Sequence, residues 1–183
     1  MPVSPRPDTY GPLAKAVHWT VAALVAVMFA LAWIFLYTPK GEAHDLLVAL
    51  HQSVGAVVLA LMLGRIVSRS FSGFPPFPSS VTWLERGLAR TVEILLYAAL
   101  IVVPVSGWIF TNADGAEAAF FGLFTLPRVV SKDFAVRDFV WFFHKNGQYA
   151  ILVLLGLHVA GALRHHFLKK DEVLRRMLPA TIA

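Results

Sequence analysis

Polar residues divide the chain into four long apolar runs, near 17–37, 46–68, 88–111 and 139–163. Each approaches or exceeds the twenty or so residues that a helix needs to cross a hydrocarbon core of about 30 Å. The segments between them are rich in breakers. Residues 1–12 hold Pro2, Pro5, Pro7 and Pro12 and are expected to lie at the surface without regular helix. The next connection turns at Pro39 and Gly41, and the linker SFSGFPPFPSSVT at 70–82 is irregular and too short to be a domain. The longest connection, 112–138, contains the turn signal NADG and an aromatic run at Phe120, Phe121 and Phe124, expected to cap one end of the bundle. The tail at 164–183, with HHFLKKDEVLRRM, reads as a basic interfacial helix. The pattern predicts an all-α fold, a transmembrane four-helix bundle forming a single membrane domain over 1–183.

Composition agrees with that pattern and narrows the chemistry. The chain is 57% hydrophobic and 15% charged, and its mean hydropathy is +0.66. That is too apolar for a soluble domain of this size. With no cysteine, disulfides, thiolate metal sites, iron–sulfur clusters and covalent heme attachment are excluded. The first apolar run is full length and lacks a small-residue cleavage pattern, so it is taken as a span rather than a signal peptide. The net charge of +5 is a matter of topology and not of nucleic acid. With four crossings, Arg6, Lys15, Arg65, Arg69, Arg86, Arg90, Arg164, Lys169, Lys170, Arg175 and Arg176 fall on one side. On the other side, Lys40, Arg128, Lys132, Arg137 and Lys145 are nearly balanced by acids. The positive-inside rule then places both termini in the cytoplasm.

The fourth run carries His144 and His158, fourteen residues apart. On a helix that spacing is almost four turns and about 21 Å, so both imidazoles leave one face at two depths. Ionisable groups inside a span are costly and imply partners. His18 begins the first run and His51 sits about two turns into the second. With the first and third helices running outward and the others inward, His51 shares a depth with His144 and His18 shares one with His158. Two imidazoles facing each other across a bundle are what axial ligation of a planar heme requires. Zinc would need four ligands at one depth, and a proton relay would normally add intramembrane carboxylates, of which only Glu93 is available. The expectation is therefore two non-covalent b-type hemes, ligated by His51 with His144 and by His18 with His158. Gly55, one turn beyond His51, either admits a macrocycle or allows close helix packing. Arg65 and Arg69 share a face at the cytoplasmic border, where they meet lipid phosphates or heme propionates. Glu93 would pair with Arg90 or Arg86, Pro104 would kink its helix, and His44 is expected to be solvated.

The stretches YGPLAKAVHW, HQSVGAVVLALMLGRIVSR, PVSGWIFTNADG and HHFLKKDEVLRRM, with the paired histidines of the fourth run, resemble the bacterial cytochrome b561 family over residues 8 to 178. That resemblance implies a dihemic inner-membrane bundle whose ligand positions fall on His18, His51, His144 and His158. It also implies electron exchange with ubiquinone and, in the superoxide oxidase branch, oxidation of periplasmic superoxide to dioxygen. His165 matches a family histidine near the cytoplasmic heme and quinone region, and Arg65 and Arg69 match its basic pair. Where the superoxide oxidase type carries histidine in its third helix, this chain has Arg90 and Glu93. His165 and Glu93 are the candidate proton sources for quinone. The alternative is an electron-transfer subunit serving a separate periplasmic redox protein docked on 112–138. A third reading is a non-redox bundle whose histidines bind a transported metal or merely pack. Oligomeric state stays open.

Overall fold

The computed structural model of this protein describes residues 9–73 and 75–178. Four helices dominate it: α1 (Pro12–Tyr37), α2 (Glu42–Ser72), α3 (Trp83–Ala113) and α4 (Phe134–Arg164). All four are long and apolar enough to cross a membrane. Each extends a turn or so past its apolar run at one end or both, because a helix continues after the hydrocarbon ends wherever local signals permit. Pro12, grouped above with the irregular N-terminal segment, is instead the first helical residue, where its missing N–H costs nothing. The rest of that segment, residues 1–8, lies outside the described residues.

The ends are set by local chemistry. Gly41 precedes α2 at φ 148°, a conformation that side chains disfavour, and Glu42 and Asp45 follow at the positive end of the helix dipole. Thr82 and Glu85 form a reciprocal capping box on α3. The carboxylate of Asp133 accepts from the Ala135 and Val136 N–H groups to start α4.

Helix α1 packs on α2, α2 on α3, and α3 on α4, while among the described residues α4 approaches α1 and α2 only marginally through its backbone. That opening is where the paired histidines face each other. Large apolar side chains such as Trp33, Ile94, Phe142 and Val153 cover the outside, each more than 60% exposed to the surroundings. An apolar exterior of this extent is stable only against lipid.

Past α3, the chain forms a two-stranded antiparallel hairpin, β1 (Ala119–Phe120) and β2 (Phe124–Thr125). It lies against the flank of α2 and is held by buried polar side chains. The Ser53 hydroxyl is shared between the Ala49 and Ala119 carbonyls and accepts from the Phe121 N–H at 2.8 Å. Gln52 donates to Thr111 and accepts from the Ala119 N–H, while Asn112 accepts from the Val129 N–H. Ser53 and Asn112 are wholly buried. Irregular backbone beside a membrane bundle needs such partners, since lipid offers none.

The tail departs from expectation. Rather than a basic interfacial α-helix, α4 widens into a π-helical turn (His165–Lys169), Lys170 adopts a left-handed conformation, and a short 3-10 turn (Arg175–Met177) follows. Lys15 and Trp19 of α1 donate to the Leu178 and Met177 carbonyls. Lys169 and Arg164 pair with Glu85 of α3. The charges expected to face lipid headgroups are spent on folding the tail back onto the bundle. Trp19 is one of those tethers.

Candidate functional site

The four intramembrane histidines form two pairs. The ring centres of His18 and His158 are 6.1 Å apart, and those of His51 and His144 are 6.2 Å apart. Two imidazoles bound through one nitrogen each to opposite sides of a metal, with bonds of about 2 Å, have ring centres about 6 Å apart. Both spacings fit one iron between each pair. Among the described residues no group of three or more His, Asp or Glu side chains converges as a metal site.

The residues around the His51/His144 pair fit a ligand in other respects. His144 Nδ1 donates to the Val103 carbonyl at 2.9 Å, so Nε2 is the nitrogen that could take a metal. A metal-bound imidazole is held in this way by its second nitrogen. The approach depends on Gly107, where a Cβ would lie 2.7 Å from His144 Cε1 and 2.9 Å from Nδ1. Gly147 makes a similar concession, since a Cβ there would collide with Val103. His51 Nδ1 is buried and faces the Met28 carbonyl without a well-formed hydrogen bond.

Between the pairs lies a dry layer. Val25, Val58 and Ile151 belong to the buried core, together with Val21 and Met62. They stand seven residues beyond His18, His51 and His144 respectively, two turns along the same faces. The same spacing on α4 continues through His158 to His165.

The remaining sequence candidates sit as follows. At Gly55 a Cβ would meet Met28 Cε at 3.3 Å, so this glycine borders α1. Arg65 donates to the Tyr97 hydroxyl at 3.1 Å. Arg69 lies over the Tyr10 ring and 3.6 Å from Glu93. Glu93 also pairs with Arg90 at 3.1 Å, whereas Arg86 donates to the Val81 carbonyl. Arg65, Arg69 and the apolar residues Leu13, Val17 and Leu61 line a cleft between α1 and α2 at the tail end. His165 is bonded to Asp171 at 2.6 Å. His44, expected in solvent, is 23% exposed and packs on Phe35, which in turn contacts His51. Sequence reasoning passed over the Val103 carbonyl, the close fit of Gly107 against His144, the Gln52–Ser53 anchor and Asp171. The polar pair following His51 inside an apolar helix was the available signal for the anchor.

Comparison with known proteins agrees with the fold. The sequence model of a family described as prokaryotic cytochrome b561 matches residues 9–180. Cytochrome b561 homolog 2 of Escherichia coli K12 is 33% identical over 174 residues, covering 94% of this chain and 92% of that protein. The probable superoxide oxidase CybB of Yersinia pestis is 27% identical, covering 93% of this chain and 96% of its own. A cytochrome b562 of Cereibacter sphaeroides is 29% identical, covering 92% and 94%.

Proposed function

Because the chain belongs to the prokaryotic cytochrome b561 family of heme-binding membrane electron-transfer proteins, we propose that it is a dihemic oxidoreductase linking a periplasmic one-electron donor to ubiquinone. Superoxide is the proposed donor: two superoxide anions, one quinone and two protons give two molecules of dioxygen and one quinol. The observation that carries this reading is the pair of histidine pairs, each about 6 Å across and separated by the Val25, Val58 and Ile151 layer.

His51 with His144, and His18 with His158, would hold one heme b each. When bound, heme b supplies a reversible one-electron carrier. The Val103 carbonyl fixes the tautomer and orientation of His144, and the apolar layer excludes water between the two sites. Arg65 and Arg69 provide positive charge beside the His18/His158 pair, suited to heme propionates. His165 and Glu93 are the groups at the tail end that would hold protons for quinone. Glu93, set between Arg69 and Arg90, also balances their charge. In this reading the tail end is cytoplasmic and the hairpin end periplasmic. The superoxide assignment draws support from the Yersinia pestis relative's name. Electrostatic steering of the anion is reduced, because Arg128 and Arg137 are paired with Glu117 and Asp114.

The second reading, an electron-transfer subunit serving a periplasmic redox protein, is favoured by the exposed tip of the hairpin, Phe121, Leu123 and Phe124. A direct experiment separates them. The purified chain should contain two protohemes with a low-spin b-type difference spectrum, and potassium superoxide should drive quinol formation from a ubiquinone analogue above the spontaneous rate. Two hemes without quinol formation would select the second reading. A colourless, folded protein would exclude both.

A further inference from the structure

The tail is built around a buried histidine–carboxylate pair. His165 continues the face of α4 that carries His144 and His158, about 10 Å beyond His158. There the helix widens into its π turn, and Lys170, at φ 54°, reverses the chain. The Lys170 and Asp171 N–H groups both return to the His165 carbonyl. This reversal sets Asp171 Oδ2 2.6 Å from His165 Nδ1, with the two side chains 7% and 12% exposed respectively. The same oxygen accepts from the Ser80 hydroxyl at 3.0 Å, and Oδ1 accepts from the Val173 N–H at 3.1 Å.

Several other charges nearby have partners of their own. Glu85 of α3 takes Arg164 and Lys169, Arg175 takes Glu172, Lys15 of α1 donates to the Leu178 carbonyl, and Arg176 donates to the Pro76 carbonyl. Asp171 is thus the carboxylate at hydrogen-bond distance from His165. Burial opposes its charge, yet the bonds from His165, Val173 and Ser80 hold its carboxyl below the usual range. A latch alone would need only a neutral acceptor, since burying a full charge is the more expensive choice. A carboxylate on one imidazole nitrogen is instead the arrangement that fixes tautomer and orientation for proton transfer at the other.

We propose that Asp171 is the positioning residue of a His165–Asp171 dyad, keeping the Nδ1 proton in place so that Nε2 delivers protons to the quinone oxygens. The proposal rests on the ubiquinone reading above. For each electron the quinone receives from the one-electron donor, the Nε2–H bond of the His165 imidazolium breaks and one quinone O–H bond forms, leaving neutral His165 protonated at Nδ1. Nε2 then regains a proton from water, Asp171 stays ionised throughout, and two such transfers complete the quinol.

The test uses the full-length heme-loaded protein in lipid nanodiscs, with superoxide as donor and a short-chain ubiquinone as acceptor. Asp171→Asn should lower kcat on the order of 10-fold to 100-fold, within the range for a general acid, with KM for quinone within about twofold of the starting value and heme content intact. Asp171→Glu should recover most of the loss. Arg176→Ala, which removes a different tether of the tail, should leave kcat unchanged. Nitrogen-15 spectra of the unsubstituted protein should show His165 protonated at Nδ1. An unchanged kcat in Asp171→Asn overturns the dyad, as does a loss that Arg176→Ala reproduces. If the unsubstituted protein forms no quinol, the ubiquinone reading fails and the dyad's role with it. A His165 protonated only at Nε2 overturns the dyad whether or not quinol forms and whether or not Asp171→Asn accumulates.

Discussion

Replacing Gly107 by alanine tests the His51/His144 pair without touching a proposed ligand. The new Cβ would stand 2.7 Å from His144 Cε1, where an ordinary carbon–carbon contact is about 3.5 to 4.0 Å. The ring must therefore withdraw by about 1 Å. His144 Nδ1 donates to the Val103 carbonyl at 2.9 Å, and a shift of that size breaks the bond. Losing it costs about 1 kcal/mol, and overpacking adds about 1 to 3 kcal/mol. The sum of about 2 to 4 kcal/mol corresponds to a weakening of heme retention of roughly 30-fold or more. The assay is heme per chain by pyridine hemochrome, with a difference spectrum. Gly107→Ala should hold one heme where the unsubstituted protein holds two, because the His18/His158 pair lies in a different layer. Gly161→Ala, where a Cβ meets nothing within 4 Å, serves as the control. Full occupancy with an unshifted spectrum in Gly107→Ala would refute the assignment of this face of α3 to the heme site.

Single replacements of His144 or His18 by alanine should each remove one heme and spare the other, and loss of both in a folded protein would argue against two separate sites. Ser53→Ala and Asn112→Ala each remove the partner of a backbone N–H in the 114–133 connection, at Phe121 and Val129 respectively, at about 1 kcal/mol each. Limited proteolysis should then cut that connection first, and protection equal to that of the unsubstituted protein would count against the anchor. Asp171 has a lowered folded pKa, so its stabilisation of the tail is complete above the ordinary carboxylate value of about 3.9 and is lost as pH falls through the lowered value. Protease protection at Lys169 and Lys170 should be the same at pH 7 and pH 5 and fail only in stronger acid. A loss already complete at pH 5 would contradict that sign.

Apolar run length decided the four spans, and the positions of Pro39, Gly41 and the 70–82 linker decided where they end, because hydrocarbon thickness and backbone breaking act locally. The depth pairing of His18, His51, His144 and His158 was also legible, since helical rise and alternating direction convert spacing into depth. Contacts between segments distant in the chain were not. Gly107 reads as a packing glycine until His144, thirty-seven residues later, is laid against it. The buried role of Ser53 emerges only when Ala119 and Phe121 fold onto α2. The tail's charges suggested a headgroup-facing helix, but Glu85 and Ser80 claim them, and the reversal at Lys170 brings Asp171 onto His165. Periodicity along one helix says which face a residue occupies, and only packing between helices says what that face meets.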